Sequence, residues 1–230
     1  FYRYALATTI LAVILAVQRK SFAVTKREFT VLTVLGALMA ASSLTLFASF
    51  NFMDAGIAST ILFVYPVMVA VIMAVFFKEK VTAITVISIT MALSGISLLY
   101  KGGDGATLSV IGVLLVVASS LTYAVYIVVV NKSSLRMSSI KLTFYVLLIG
   151  TFFIISYSFL GKGAQLQPLT TMHELTYALV LAVFPTIISL ILMVVAVHNV
   201  GSTPTAVMGA LEPITAVCIG VFVFNEEFTM

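Results

Sequence analysis

The chain has 230 residues, 62% of them hydrophobic and only 9% charged, with a net charge of +4 and a mean hydropathy of +1.22. Soluble domains carry about 25% charged residues, so there is too little polar surface here to cover a globule in water. A soluble enzyme, a nucleic-acid binder and a disordered tail are excluded together, and the positive balance reads as basic loops flanking a membrane. One cysteine, Cys218, excludes an internal disulfide and a multi-cysteine metal site.

A helix needs about 20 apolar residues to cross the hydrocarbon. The apolar runs predict eight helices, near 1–17, 29–50, 55–77, 82–100, 108–130, 140–160, 174–198 and 203–224. Alternating segments of β-barrel type do not occur, so the fold class is an all-α polytopic protein of the cell membrane. The connections are short and hold nearly all the charge. Those after the first, third, fifth and seventh helices carry Arg19, Lys20, Lys26, Arg27, Lys78, Lys80, Lys132, Arg136 and Lys141, against Arg3, Lys101 and Lys162 on the other side. This positive-inside bias puts the first set in the cytoplasm and residues 1 and 230 outside. The chain opens on Phe1 in an apolar run, with neither the basic n-region nor the cleavage site of a signal peptide, which reads as a fragment.

Shifting the chain by 147 residues lays 52–82 over 199–229 and pairs Pro66 with Pro213, Ile72 with Ile219, Phe77 with Phe224, Glu79 with Glu226 and Thr82 with Thr229. The shared pattern is a mid-helix proline followed by Phe-x-Glu-x-x-Thr at the membrane exit. The repeat unit is then five helices long. Because five is odd, the second copy is inverted relative to the first, as in many transporters. Ten helices are expected, the first and last lacking here, with 1–105 as the first repeat and 106–230 as the second.

These residues resemble the drug/metabolite transporter superfamily, specifically ten-helix EamA-type permeases. The resemblance rests on Tyr65-Pro66 through Thr82, on Leu211-Glu212-Pro213 through Thr229, on the opening Phe1-Tyr2-Arg3-Tyr4, and on Gly112 through Tyr126 with Ser119-Ser120-Leu121-Thr122-Tyr123-Ala124. It covers essentially the whole chain. It implies cytoplasmic termini for the intact protein, in accord with the charge bias, and a small-molecule substrate among amino acids, other metabolites or hydrophobic drugs.

Glu212 is the only acidic residue well inside an apolar span. Such acids face a cavity, a partner or a proton path, or else a protonated carboxyl simply bonds a neighbouring helix. Pro213 removes a backbone bond beside it, and Pro66 does the same beside Tyr65. Tyr65 holds the position equivalent to Glu212 in the repeat, so the two are expected to face one another. Ser119, Thr122, Tyr123 and Tyr126 share a polar-aromatic helix face, and Ser42, Thr45 and Ser49 line another, with Asn51 near its end. Hydroxyls of this kind line wet cavities or glue helices together. Arg3 either snorkels to headgroups or captures a substrate carboxylate. His198 and Asn199 read as interfacial residues, Glu79 and Glu226 as turn elements, and Gly36, Gly95, Gly112, Gly150 and Gly209 as close-packing points.

The leading function is a secondary transporter exporting a small metabolite or amino acid by alternating access, with Glu212, Tyr65, Tyr123, Tyr126 and Ser119 as binding or coupling candidates and a proton as the candidate coupling ion. It is expected to be a monomer in the bilayer, without cofactor, metal or nucleic-acid partner. The alternatives are an intramembrane enzyme and a non-transporting scaffold or receptor. Neither Gly-x-Ser-x-Gly, His-Glu-x-x-His nor a P-loop occurs in the sequence, and an inverted repeat with paired prolines does not suit a scaffold. Thiol labelling of Lys78→Cys and Lys101→Cys in the full-length protein should report opposite sides of the membrane; labelling from one side contradicts the inverted topology.

Overall fold

The structure, a computed structural model, describes residues 1–80, 83, 86, 87, 90, 94, 109–133, 135, 137–160, 169, 171–209, 211, 212 and 215. The helix expected over 82–100 is largely outside these. So are Thr82, Gly95, Lys101, Arg136, Lys162, Pro213, Cys218, Ile219, Phe224, Glu226 and Thr229. Every regular element among the described residues is helical. In chain order they are α1 (Tyr2–Val17), α2 (Lys26–Ser49), α3 (Ala55–Leu62), α4 (Tyr65–Phe77), α5 (Val110–Lys132), α6 (Ser139–Leu160), α7 (Met172–Ala182), a π-helical turn (Val183–Ile188), α8 (Ser189–Val200) and α9 (Ser202–Gly209). Among the described residues, five stretches are long and apolar enough to cross a membrane: Lys26–Ser49, Ala55–Phe77, Val110–Lys132, Ser139–Phe159 and Met172–Val200. Helix α1 is apolar but shorter.

Two helices start earlier than their apolar runs suggest, for the same reason. Thr25 and Glu28 form a capping box ahead of α2: the Thr25 amide and hydroxyl both donate to Glu28 Oε2, at 2.8 and 2.9 Å. Ahead of α7, the Thr171 amide donates to Glu174 Oε2 at 3.1 Å. These side chains satisfy amides that a helix start otherwise leaves open, which extends α2 and α7 toward the polar boundary.

The chain divides into two compact units. Unit 1 is Phe1–Ala41 with Val129–Asn199, and unit 2 is Ser42–Val128 with Val200–Met230. In unit 1, α1 packs along α6 and against α7 and the π-helical turn. Tyr4, Ala7, Leu11 and Leu15 recur every three or four residues and are all buried, giving α1 one continuous inner stripe. Close approach depends on small residues. A Cβ on Gly36 would come 2.7 Å from Ile149 Cβ, and one on Gly150 would meet the Tyr4 ring at 3.2 Å. The Tyr4 hydroxyl donates to the Met39 carbonyl at 3.4 Å, and Asn131 Nδ2 to the Val197 carbonyl at 3.3 Å. Within the long span 172–200, Pro185 lacks the N–H that would bond Leu181. The chain widens there into the π-helical turn, and Thr186 Oγ1 donates to the Leu181 carbonyl at 2.8 Å.

Unit 2 contains the matching event with a different remedy. The expected single helix 55–77 is two helices: α3, whose first turn is capped by the Asp54 carboxylate accepting from the Gly56 amide at 2.8 Å, and α4. The break at Phe63-Val64 places Pro66 in the first turn of α4, where its missing N–H costs least. The carbonyl that Pro66 cannot bond is that of Leu62, and Ser120 Oγ of α5 lies 3.2 Å from it while also reaching the Val116 carbonyl at 2.9 Å. Nearby, Ser42 and Ser119 clasp reciprocally: Ser119 Oγ donates to the Ser42 carbonyl at 2.8 Å, and Ser42 Oγ lies 3.1 Å from both the carbonyl and the hydroxyl of Ser119. A Cβ on Gly112 would come 2.7 Å from Met53 Cε. Gly201 adopts φ 95, a conformation that only glycine takes readily, and α9 begins after it at Ser202, 147 residues on from the start of α3 at Ala55.

Replacing Ser120 with Ala leaves the Leu62 carbonyl without its cross-helix donor and should lower stability by about 1 kcal/mol. Thr9→Ala, which removes only an exposed bond to the Ala5 carbonyl of its own helix, should leave the melting temperature unchanged. Equal melting temperatures for the Ser120 variant and the wild type in detergent would contradict the role given to Ser120.

Candidate functional site

The sequence candidates Tyr65, Tyr123, Tyr126, Ser119 and Glu212 all belong to unit 2. Their elements are set by the features just described. The break before Pro66 starts α4 at Tyr65, and the Ser120 and Ser42–Ser119 bonds fix the face of α5 that carries Tyr123 and Tyr126.

Three of the five form one aromatic cluster. The Tyr65 and Tyr123 rings meet edge to face with centroids 5.0 Å apart and an interplanar angle of 75°, and Tyr123 stacks on Tyr126 at 6.1 Å and 11°. Both arrangements suit the ring quadrupoles. Tyr65 and Tyr126 are buried and Tyr123 is half-buried. Glu212 follows three residues after Gly209, the point at which this segment meets the Tyr65 hydroxyl. It is exposed and in helical conformation, and the Thr215 amide bonds the Leu211 carbonyl at 3.0 Å.

Helix α9 packs against α4, and the contact is intimate at Gly209. A Cβ there would run into the Tyr65 hydroxyl. Gly209, expected as a packing point, therefore has a specific partner: it makes room for a tyrosine of the candidate site.

Ser119 behaves otherwise than a cavity-lining residue. It is completely buried and its hydroxyl is used in the clasp with Ser42. Thr122 likewise bonds back to the carbonyls of Ala118 and Ser119, both at 2.9 Å, so the hydroxyls of this face serve packing while its phenols form the cluster. Pro213 is outside the described residues. Arg3 places its guanidinium carbon 5.3 Å from the centroid of the Tyr4 ring. His198 is exposed, and Asn199 Nδ2 bonds the Val195 carbonyl at 2.8 Å. Glu79 lies in the turn after α4, its amide bonded to the Met73 carbonyl at 3.1 Å beyond left-handed Lys78. Among the described residues no three His, Cys, Asp or Glu side chains come together as a metal site. The features that sequence reasoning missed are the π-helical turn and its Thr186 bond; their signal was Pro185 followed directly by threonine inside an unbroken apolar run.

What the cluster offers chemically is three phenol groups and their aromatic faces, groups that can meet a small polar solute through hydrogen bonds and ring contact. Gly209→Ala should displace Tyr65 and lower stability by about 1–3 kcal/mol. Tyr65→Phe removes the oxygen that the new methyl would strike, so the double variant should recover most of that loss. Simple additivity of the two effects in thermal melts would show that the Gly209–Tyr65 contact is not the cause.

The comparisons with known proteins agree with this architecture. The chain matches the EamA-like transporter family over residues 1–101 and 110–230. It is 31% identical over 105 residues to the uncharacterized transporter YvbV of Bacillus subtilis, covering 46% of this chain and 34% of that protein. It is 21% identical to the uncharacterized transporter YetK of the same organism, covering 98% of this chain and 70% of that protein. It is 26% identical to the uncharacterized transporter sll1319 of Synechocystis, covering 84% of this chain and 59% of that protein. The chain thus spans only about a third of YvbV and less than two thirds of sll1319. One crystal structure superposes with a TM-score of 0.81 over 99% of this chain and 80% of its own at 13% identity, which shows a shared fold. With five apolar spans and a family match along nearly its whole length, this integral, multi-pass membrane chain belongs to the EamA-like transporter family.

Proposed function

We propose that the protein is a secondary transporter that exports a small metabolite or amino acid by alternating access, with protons as the counter-ion. In this reading the chain supplies eight helices of a ten-helix protein built from two inverted five-helix repeats. The coincidence of the α3 and α9 starts at the 147-residue offset supports the repeat. The observation that carries the site is the Tyr65–Tyr123–Tyr126 cluster with Gly209, three residues before Glu212, packed against the Tyr65 hydroxyl.

Glu212 is the coupling group in this mechanism. A carboxyl within a membrane span that exchanges its proton with each side in turn can link two fluxes without ATP. Outward transport requires that substrate and proton compete for the site, so that loading one displaces the other. The tyrosines hold the substrate through ring faces and hydroxyls, and the helix break at Pro66 gives α4 a point about which to move. The alternative role for Glu212 is a fixed hydrogen bond to a neighbouring helix, with the substrate running down its own gradient.

Glu212→Gln separates the two. It keeps size and much of the hydrogen bonding but cannot titrate. In proteoliposomes of the full-length protein, the variant should still exchange substrate and should lose concentrative uptake driven by an imposed pH step. Wild-type pH-driven uptake by a folded Gln variant, or wild-type transport indifferent to the pH step, contradicts proton coupling.

A further inference from the structure

Five basic side chains gather at the connection between α1 and α2 in unit 1. Arg19 and Lys20 follow α1, Lys26 and Arg27 open α2, and Lys141 reaches in from α6, its ammonium donating to the Ala23 carbonyl at 2.7 Å. Arg19, Lys20, Lys26 and Arg27 are all exposed. The one acid on this stretch, Glu28, has a carboxylate oxygen committed to the amide and hydroxyl of Thr25, so it serves the helix start.

The connection is also held in place. The Phe22 ring meets Phe144 edge to face at 5.7 Å, the Tyr145 hydroxyl donates to the Phe22 carbonyl, and Arg19 turns the chain in a left-handed conformation, φ 50. Lys20 and Lys26 are separated by at most about 20 Å of extended chain. Beside the cations stand exposed apolar side chains, Phe22 at 41% and Val17 at 78%. A positive-inside bias calls for charge on the loop, but not for a loop fastened by an aromatic pair and two side-chain bonds. Another basic connection, Lys78-Glu79-Lys80, keeps an acid between its lysines.

We propose that Arg19, Lys20, Lys26 and Arg27 form a docking site for the phosphate of an anionic phospholipid headgroup, with Val17 and Phe22 against its acyl region. The complement of a fixed group of cations next to exposed apolar surface at a membrane boundary is a negatively charged head on a hydrocarbon tail. Arginine adds forked hydrogen bonding to phosphate oxygens, and the pinned loop avoids the entropy of ordering four long side chains on a mobile backbone.

The test is lipid retention by the full-length protein in native mass spectrometry after exchange into detergent with phosphatidylglycerol or phosphatidylcholine. The wild type should keep phosphatidylglycerol several-fold better than phosphatidylcholine, with retention falling as salt rises. Arg19→Gln with Lys20→Gln should cut that retention several-fold, and Lys26→Gln with Arg27→Gln gives the same reading if the first pair does not fold. The charge-keeping pair Arg19→Lys and Lys20→Arg should retain it, as should Lys78→Gln with Lys80→Gln. Equal retention of the two lipids, or undiminished retention in the folded Gln pairs, overturns the proposal. So does an equal loss in the Lys78 and Lys80 pair, which would make the effect one of total charge. If inorganic phosphate alone raises the melting temperature as much as phosphatidylglycerol does, the site takes free phosphate and the lipid assignment fails.

Discussion

In hydrocarbon there is no water to satisfy a backbone polar group, so each carbonyl released by a proline needs an internal donor. Two prolines show how this chain answers that constraint. Pro185 frees the Leu181 carbonyl and Thr186, the next residue, bonds it through a local π-helical turn. Pro66 frees the Leu62 carbonyl, and the donor within reach comes from another helix, Ser120 of α5. The first remedy concerns one helix only. The second ties the α3–α4 break to α5, and so ties Tyr65 to the helix that carries Tyr123 and Tyr126.

The rest of unit 2 builds on that tie. The Ser42–Ser119 clasp adds hydrogen bonds between α2 and α5 one turn before Tyr123. Gly209 lets α9 approach the Tyr65 hydroxyl, and Glu212 follows three residues later in the chain. Local chain chemistry thus leads from a proline to a broken helix, from the break to the position of a tyrosine, and from the tyrosine to a carboxylate a short distance along α9's own chain. Hydroxyls do the fastening here because association between helices in lipid gains little from apolar contact alone.

Much of this was legible in the residues. The apolar run lengths locate the five spans found among the described residues, and the 147-residue offset relates the helix starts at Ala55 and Ser202. The apolar runs alone place the helix starts at Lys26 and Met172 too late, because the Thr25–Glu28 and Thr171–Glu174 boxes that extend these helices are polar, although both threonine-to-glutamate spacings are visible in the sequence. Ser119 shares a helix face with its phenol neighbours. Spacing alone cannot tell a hydroxyl that lines a cavity from one that joins two helices, since both lie on the inner side. Lipid is as apolar as a protein core, so the hydrophobic pattern of a span does not distinguish its packed side from its lipid side. Val69 is buried on α4 while Val71 and Val75 are exposed, and nothing in their chemistry separates them.

In the proposed mechanism Glu212 faces a water-filled path and not the lipid. This is tested most directly by placing a thiol there, Glu212→Cys in full-length protein whose Cys218 has been changed to Ser, and measuring its reaction with a charged, membrane-impermeant reagent in proteoliposomes. The account predicts modification from the aqueous phase and slowing of that reaction by transported solute. A thiol inert to the charged reagent but reactive with a lipid-soluble one would place residue 212 against the bilayer and contradict the account.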